Sequence, residues 1–352
     1  EDIAFPQSVH IVKDTFRRAK SGLFYPPHKA FDKVILQKTI DYVVDTPVAG
    51  KTAFLFAAGS QGWMGTSGRY DRNTEAELHY KTKIPFLTLT NIYAGRIASI
   101  FHVHDHVSTD ASACASSLKV LMDMQNLFWH YGFDRVIVLA GEDSVCIPSL
   151  EFFGDAKASI QLSEEPERKP SAFDGTNTGF HVGQGAALAV FEKEHAGMSE
   201  PMAKFLGAYT SAENNTNPLG QRPDGEGYSK AIDGSLHVAG VRKEDIKVVK
   251  THGTGTVVNN RAEKAALLRS LDGFVATSYK PRIGHTLSAS GLLETGLLLN
   301  DMKRGIVPRI LNRTEEDDVF LSYDAPAPQG PFLSLAAGMG NIYSAALFST
   351  EV

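Results

Sequence analysis

Cysteine is nearly absent: Cys114 and Cys146 are the only two in 352 residues. So few thiols argue against a disulfide scaffold and suit a reducing compartment, so a cytoplasmic protein is expected. Long apolar runs are missing too. None approaches the roughly 18 residues that cross a bilayer, so no membrane span is expected. There is no basic surplus either, with 35 Lys and Arg against 40 Asp and Glu and a net charge of -5. Nucleic-acid binding needs cations gathered on one face, and is not expected here. The chain opens at Glu1 without a basic leader or an apolar segment behind it. No targeting segment is read from it.

What is present is ordinary globular material, 43% hydrophobic and 21% charged. The length suits about two lobes. Apolar residues at helical spacing mark Phe31 to Val44, Asn91 to Phe101 and Ser116 to Tyr131. Short, fully apolar runs mark buried strands at Thr52 to Ala57, Arg135 to Ala140 and Gly185 to Glu192. His106 to Ala111 reads as a further strand. A strand, turn, helix, strand order around residues 106–140 predicts a parallel βαβ unit. Gln161 to Asp174 reads as a loop, and Asn214 to Gly227 as a long functional excursion. Further along come a helix at Tyr228 to Ala239, a strand at Ile246 to Thr251 and a helix at Gly291 to Met302. Leu333 to Thr350 supplies the last sheet elements. Two segments share one logic, an apolar strand delivering a polar reactive turn: Val107 to Ser117 and Val248 to Thr256. They suggest an internal duplication.

Three side chains draw attention as chemistry. Cys114 stands in TDASACASSL, between strand and helix, among small alanines that leave room for a tight turn. A thiol at a helix N-terminus gains from the macrodipole, which lowers its pKa. Nearby backbone N–H groups suit an oxyanion. A small buried packing cysteine fits the same segment. His252 in KTHGTGT follows a strand and precedes a glycine turn, and His285 in KPRIGHTLSASG follows Lys280 by five residues. Either could act as base or hydrogen-bond donor, or be a satisfied structural histidine. A fourth pattern, His102, His104 and His106 in FHVHDH, would align three imidazoles for a metal if it were a strand. An exposed edge or turn ahead of the Cys114 strand is the preferred reading.

In chain order, ASACASS, THGTGT and YKPRIGHTLSASG resemble the cysteine, first-histidine and lysine–histidine motifs of β-ketoacyl-acyl-carrier-protein synthases. FDGTNTGFHVGQGAALAVFE and GMGNIYSAAL resemble two further segments of that family. The resemblance implies an α/β, thiolase-like, five-layered αβαβα fold of two pseudo-duplicated halves. The N-terminal half, 1–192, would carry the nucleophile, and the C-terminal half, 193–352, the two histidines. It also implies an acyltransferase in which Cys114 takes the acyl group from a thioester. His252 and His285 would hold a malonyl thioester through decarboxylation, and the chain would grow by two carbons in fatty-acid, polyketide or polyene synthesis. Lys280, paired with Glu263, would order His285. The N–H groups of Cys114 and Met339 would form the oxyanion hole, with Met339 at the gate. No organic cofactor and no metal are implied. The implied partners are an acyl carrier protein and a second, identical or related, ketosynthase subunit.

The chain departs from the family pattern at several points. Met339 stands where the family carries phenylalanine, Gln184 and Asn260 replace acidic residues, and Asn341, Ile342 and Tyr343 replace "GTN". A thiolase would need a second catalytic cysteine near the C-terminal glycine turn. Cys146 lies far from it in sequence and is read as packing. An initiating synthase would carry asparagine in place of His285. The other alternative is a non-catalytic subunit like a chain-length factor, which would normally lack Cys114.

Overall fold

A computed structural model describes residues 3–6, 33–59, 89–142, 144–145, 147–160, 168–175, 179–196 and 198–351. Cys146, residues 161–167 of the expected loop and the first two residues of the first expected helix lie outside these.

The strands are β1 (Ile3–Pro6), β2 (Lys51–Ala57), β3 (His106–Asp110), β4 (Phe133–Glu142), β5 (Gly185–Lys193) and β6 (Pro201–Ala212), followed by β7 (Val248–Lys250), β8 (Val275–Thr277), β9 (Ile306–Val307), β10 (Ala325–Pro326), β11 (Pro331–Gly338) and β12 (Ile342–Ser349). The helices are α1 (Lys33–Asp45), α2 (Thr90–Ile100), α3 (Ser116–His130), α4 (Ile147–Asp155), α5 (Glu226–Ala239), α6 (Val257–Ser270), α7 (Lys280–Ile283) and α8 (Ser290–Lys303). Ten of the described strands form one sheet in the order β3-β2-β4-β5-β1-β6-β12-β11-β7-β8. From either end the order begins with two parallel pairings and continues antiparallel to the middle, where β1 meets β6.

The layers follow from period-two alternation. In β2, Ala53, Leu55 and Ala57 turn to one side, while Phe54 and Phe56 turn to the other. The first set joins α3 and α8 and the inner faces of β11 and β12 in a single core. The second set packs under α1 and α2. In the other half, Leu333, Leu335 and Leu347 face α5 and α6, while Phe332, Ala336 and Phe348 face the centre. Helix, half-sheet, helix pair, half-sheet, helix is the expected five-layer arrangement. Because both faces of each half-sheet are covered, the strands read as unbroken apolar runs.

The duplication is real, but its counterparts differ from those expected. By position in the sheet, β3 answers to β8 and β2 to β7. The turn with Cys114 therefore corresponds to the segment after β8, not to Val248–Thr256. Both turns have the same build. A 3-10 turn at Ala113–Ala115 runs into α3, and another at Leu287–Ala289 runs into α8. Each opens on a non-glycine residue with positive φ, Ala113 at 49° and Leu287 at 50°. Ser288 occupies the place in its turn that Cys114 occupies in the other. Matching by reactive chemistry misled, because the repeat preserves backbone shape rather than side-chain function.

Three sizeable elements escaped the sequence pattern: α4, α6 and β6. In α6 the buried side includes Asn259, Asn260 and Glu263, so no apolar stripe marks it. Strand β6 contains Pro201 and Gly207, which both weaken a strand reading. Its Gly207 lies tight against Val238 and Ala239 at the end of α5. Of the FHVHDH histidines, only His106 is in a strand, and His102 sits in a turn at φ 54°. Among the described residues, no three His, Cys, Asp or Glu side chains gather as a metal would require. Nor, among them, is any helix long and apolar enough to cross a membrane.

Candidate active site

The Cys114 turn is held by close packing that offsets its strained backbone, a left-handed residue costing about 1–2 kcal/mol. Ser116 Oγ donates to the Ala113 carbonyl at 2.7 Å. Gly338, at the end of β11, presses on the turn from the other half; a Cβ there would collide with the Ser112 carbonyl oxygen. Cys114 is buried with Phe153, Phe180 and Leu287, and Met339 packs against this group.

His252 sits where β7 ends. The Glu263 carboxylate accepts the backbone N–H groups of His252 and Gly253 at 2.5 and 2.9 Å, and the Asn259 amide at 2.9 Å. Gly253 and Gly255 both have positive φ, as such a turn needs. The rings of His252 and His285 stand 5.5 Å apart, edge to face at 81°. Phe180 backs His285 at 4.9 Å. His285 Nδ1 accepts the Leu287 N–H at 3.3 Å and lies 2.8 Å from Ser290 Oγ. A backbone N–H can only donate, so the neutral ring carries its proton on Nε2.

Lys280 requires a correction. Its Nζ donates to Glu294 Oε1 at 2.8 Å, not to Glu263. Glu263 is occupied in bracing the His252 turn. Glu294, in the first turns of α8, also accepts Lys250 Nζ at 3.3 Å through Oε2. Lys250 in turn donates to the Leu335 carbonyl at 2.6 Å. Neither Glu294 nor Lys250 was picked out from sequence. The available signal was a single charge in each of two apolar segments, Glu294 in SGLLETGLLL and Lys250 in VVK.

The electrostatics reverse another expectation. Burial pushes the Cys114 thiol up to about 12, with the Glu142 charge adding to it, and the Lys280 charge opposes the rise only in part. The helix N-terminus does not prevail over desolvation here. Burial also holds both histidines well below the usual imidazole range, and the charges of Lys280 and Lys250 push them the same way. The resting site is therefore a protonated thiol beside two neutral imidazoles. Alkylation of Cys114 by iodoacetamide should thus be slow at neutral pH. Its rate should rise about tenfold per pH unit, with no plateau before pH 10. A plateau near pH 8, measured by intact mass over a pH series, would contradict this placement.

Met339 lies in the turn between β11 and β12, which is tied to the excursion after β6. Gly340 N–H donates to the Pro218 carbonyl at 2.9 Å, and the Asn341 amide to those of Asn215 and Asn217 at 2.8 and 3.2 Å. The loop expected over Asn214 to Gly227 is irregular up to the start of α5 and rests on the Met339 turn.

Known proteins place this architecture. The family description "Beta-ketoacyl synthase, N-terminal domain" matches residues 43–196, and "Beta-ketoacyl synthase, C-terminal domain" matches 202–314. The ketoacyl synthase alpha subunit of the tetracenomycin polyketide synthase of Streptomyces glaucescens is 30% identical over 260 residues, 69% of this chain and 60% of that protein. The 3-oxoacyl-[acyl-carrier-protein] synthase 2 of Mycobacterium leprae is 25% identical over 68% of this chain and 59% of its own length. The chain thus spans about three fifths of the length of these relatives. Among solved structures, the ishigamide ketosynthase/chain length factor superposes with TM-score 0.75 at 19% identity, over 90% of this chain and 82% of that one. A type II polyketide ketosynthase bound to its acyl-carrier protein and a hexaketide gives 0.75 at 19%, over 89% and 84%. Those two likenesses speak for the thiolase fold alone. With both halves of one family matched in order, and with identities this modest, the chain belongs to the β-ketoacyl synthases as a divergent member.

Proposed function

We propose that this protein is a decarboxylative β-ketoacyl synthase, an acyltransferase that works through Cys114. The observation that carries the reading is the convergence of three distant segments: buried Cys114 packs with Phe180 and Leu287, Phe180 stacks edge-on to His285, and His285 to His252. Cys114 attacks the carbonyl of an acyl thioester, and its proton passes to a neutral imidazole as the S–C bond forms. The tetrahedral oxyanion rests on the N–H groups of Cys114 and Met339 and collapses as the imidazolium returns its proton to the departing donor sulfur, which leaves as the thiol. A malonyl thioester then enters past Met339. Nε2–H of His285, with His252, holds its carbonyl oxygen while the carboxylate departs as CO₂. The enolate attacks the acyl-enzyme, Cys114 leaves as thiolate, and the product is a 3-oxoacyl thioester longer by two carbons. Lys280 and Glu263 act indirectly, the first through Glu294 and the second by bracing the His252 turn.

The relatives' names point to an acyl carrier protein as the donor's bearer and to a paired, related subunit as one assembly; a homodimer is the other assembly proposed. Residues 1–192 and 193–352 are taken as the two functional halves, and the cytoplasm as the working compartment. The chemistry calls for neither metal nor organic cofactor.

Incubation of the protein with a panel of acyl-carrier thioesters, read by intact mass, tests the proposal. An acyl adduct on Cys114 that is discharged by a malonyl thioester is expected. A folded protein that takes no acyl group from any donor would instead favour the non-catalytic partner-subunit reading.

A further inference from the structure

Lys250 is a fully buried cation that none of these steps uses. It stands at the end of β7, two residues before His252, and is joined to two other elements: Leu335 on β11 and Glu294 on α8. Glu294 thus receives two ammonium groups, one on each oxygen, and all three side chains are at most 1% exposed. Within this triad, one carboxylate facing two lysines leaves a surplus positive charge, and both lysines push the two imidazoles toward the neutral form. The remaining ionisable groups around this centre are Glu263 on α6, Glu142 on β4, Tyr228 on α5, Tyr279 just before α7, Cys114, His252 and His285. Glu263 is occupied by the N–H groups of the His252 turn, and Glu142 Oε2 accepts the Ser288 N–H at 3.2 Å.

We propose that Lys250 is a positioning residue for decarboxylation: with Lys280 it clamps both oxygens of Glu294, and the surplus charge so created adds to burial in keeping His252 and His285 unprotonated. The proposal rests on the reading of the two histidines given above, and adds what sets their state. His285 accepts the Leu287 N–H at Nδ1, so to donate from Nε2 its ring has to be neutral; burial is the first cause of that state in both rings, and the nearby cations add to it. Lys250 itself is held down to about 8 by burial, so it carries its charge on the acid side of neutrality, where the histidines titrate. Its bond to Leu335 also fixes the end of the strand from which His252 projects.

The test is a titration of ¹³C-labelled histidine by NMR, with the two rings assigned through His252→Gln and His285→Asn. It is run on wild type, Lys250→Met and Lys250→Arg, alongside the pH profile of malonyl-thioester decarboxylation. In wild type both rings should stay neutral well below the ordinary value of about 6.5. In Lys250→Met, loss of a cation makes protonation easier. Both titrations, and with them the acid limb of decarboxylation, should move up by about one pH unit. Lys250→Arg should restore the wild-type limb. Lys250→Gln, which keeps a donor for Leu335 but no charge, serves if methionine at this site does not fold. A variant that slows the reaction equally at every pH, with unmoved histidines, would overturn the proposal. So would a wild-type ring that titrates near 6.5. A wild type that decarboxylates nothing would count against the ketosynthase reading, and the NMR shift would still decide the role of Lys250.

Discussion

Cys114→Ala should abolish the acyl-enzyme and lower condensation by at least about 10³-fold, while the protein remains folded. The loss is large because a thiol nucleophile is removed and the two hydroxyls that follow it in the chain are engaged. Ser116 Oγ is committed to the Ala113 carbonyl, and Ser117 Oγ accepts the Leu292 N–H at 3.1 Å. Folding should survive because alanine is small enough for the turn and the lost sulfur leaves only a small void, on the order of 1 kcal/mol. The two imidazoles are untouched, so decarboxylation of a malonyl thioester should persist without a condensed product. Intact mass, product analysis and CO₂ release on one preparation separate these outcomes. Retained condensation in the variant would remove Cys114 from the mechanism.

Glu294→Leu should be the most destabilising single change in the centre, by about 3–5 kcal/mol. It leaves Lys250 and Lys280 buried side by side with no carboxylate between them. The cost is that of stranded charge rather than of a lost attraction. A triple variant makes the distinction visible. Lys250→Met, Lys280→Met and Glu294→Leu together should recover most of the stability, since a buried ion cluster replaced by apolar groups is often neutral or better. The triple variant should nonetheless be inactive. Denaturant unfolding of the single and triple variants measures both effects. Equal destabilisation in the two would show that packing, not charge, is at stake.

The three reactive turns were legible because their signal is local. Small residues around Cys114 and glycines around His252 report a backbone shape within a few positions. The buried strands were legible because both faces of each half-sheet are covered, so β2, β4 and β5 read as continuous apolar runs. What depended on distant partners was not legible. Glu263 is the expected partner of Lys280, and only the approach of α8 to α7 brings Glu294 to it instead. The thiol's pKa was misjudged because the helix N-terminus is visible in the sequence, whereas the depth of burial and the Glu142 charge are not. Helix α6 was missed since it turns Asn259 and Glu263 inward to brace a turn, so its inner side is polar.

The contact between the two central helices has a consequence for how the protein comes into being. Gly291 of α8 lies against Leu118 of α3 so closely that a Cβ would press into that side chain, and the Leu292 N–H reaches Ser117 across 175 positions of chain. Contacts so remote in sequence form only after long loops have closed, which makes them slow and late. On a ribosome, the Cys114 turn emerges well before the strand that carries Gly338 and the helix that carries Glu294. The nucleophile's surroundings are thus completed last, and the nascent chain carries an exposed, ordinary thiol until the final sheet strands dock.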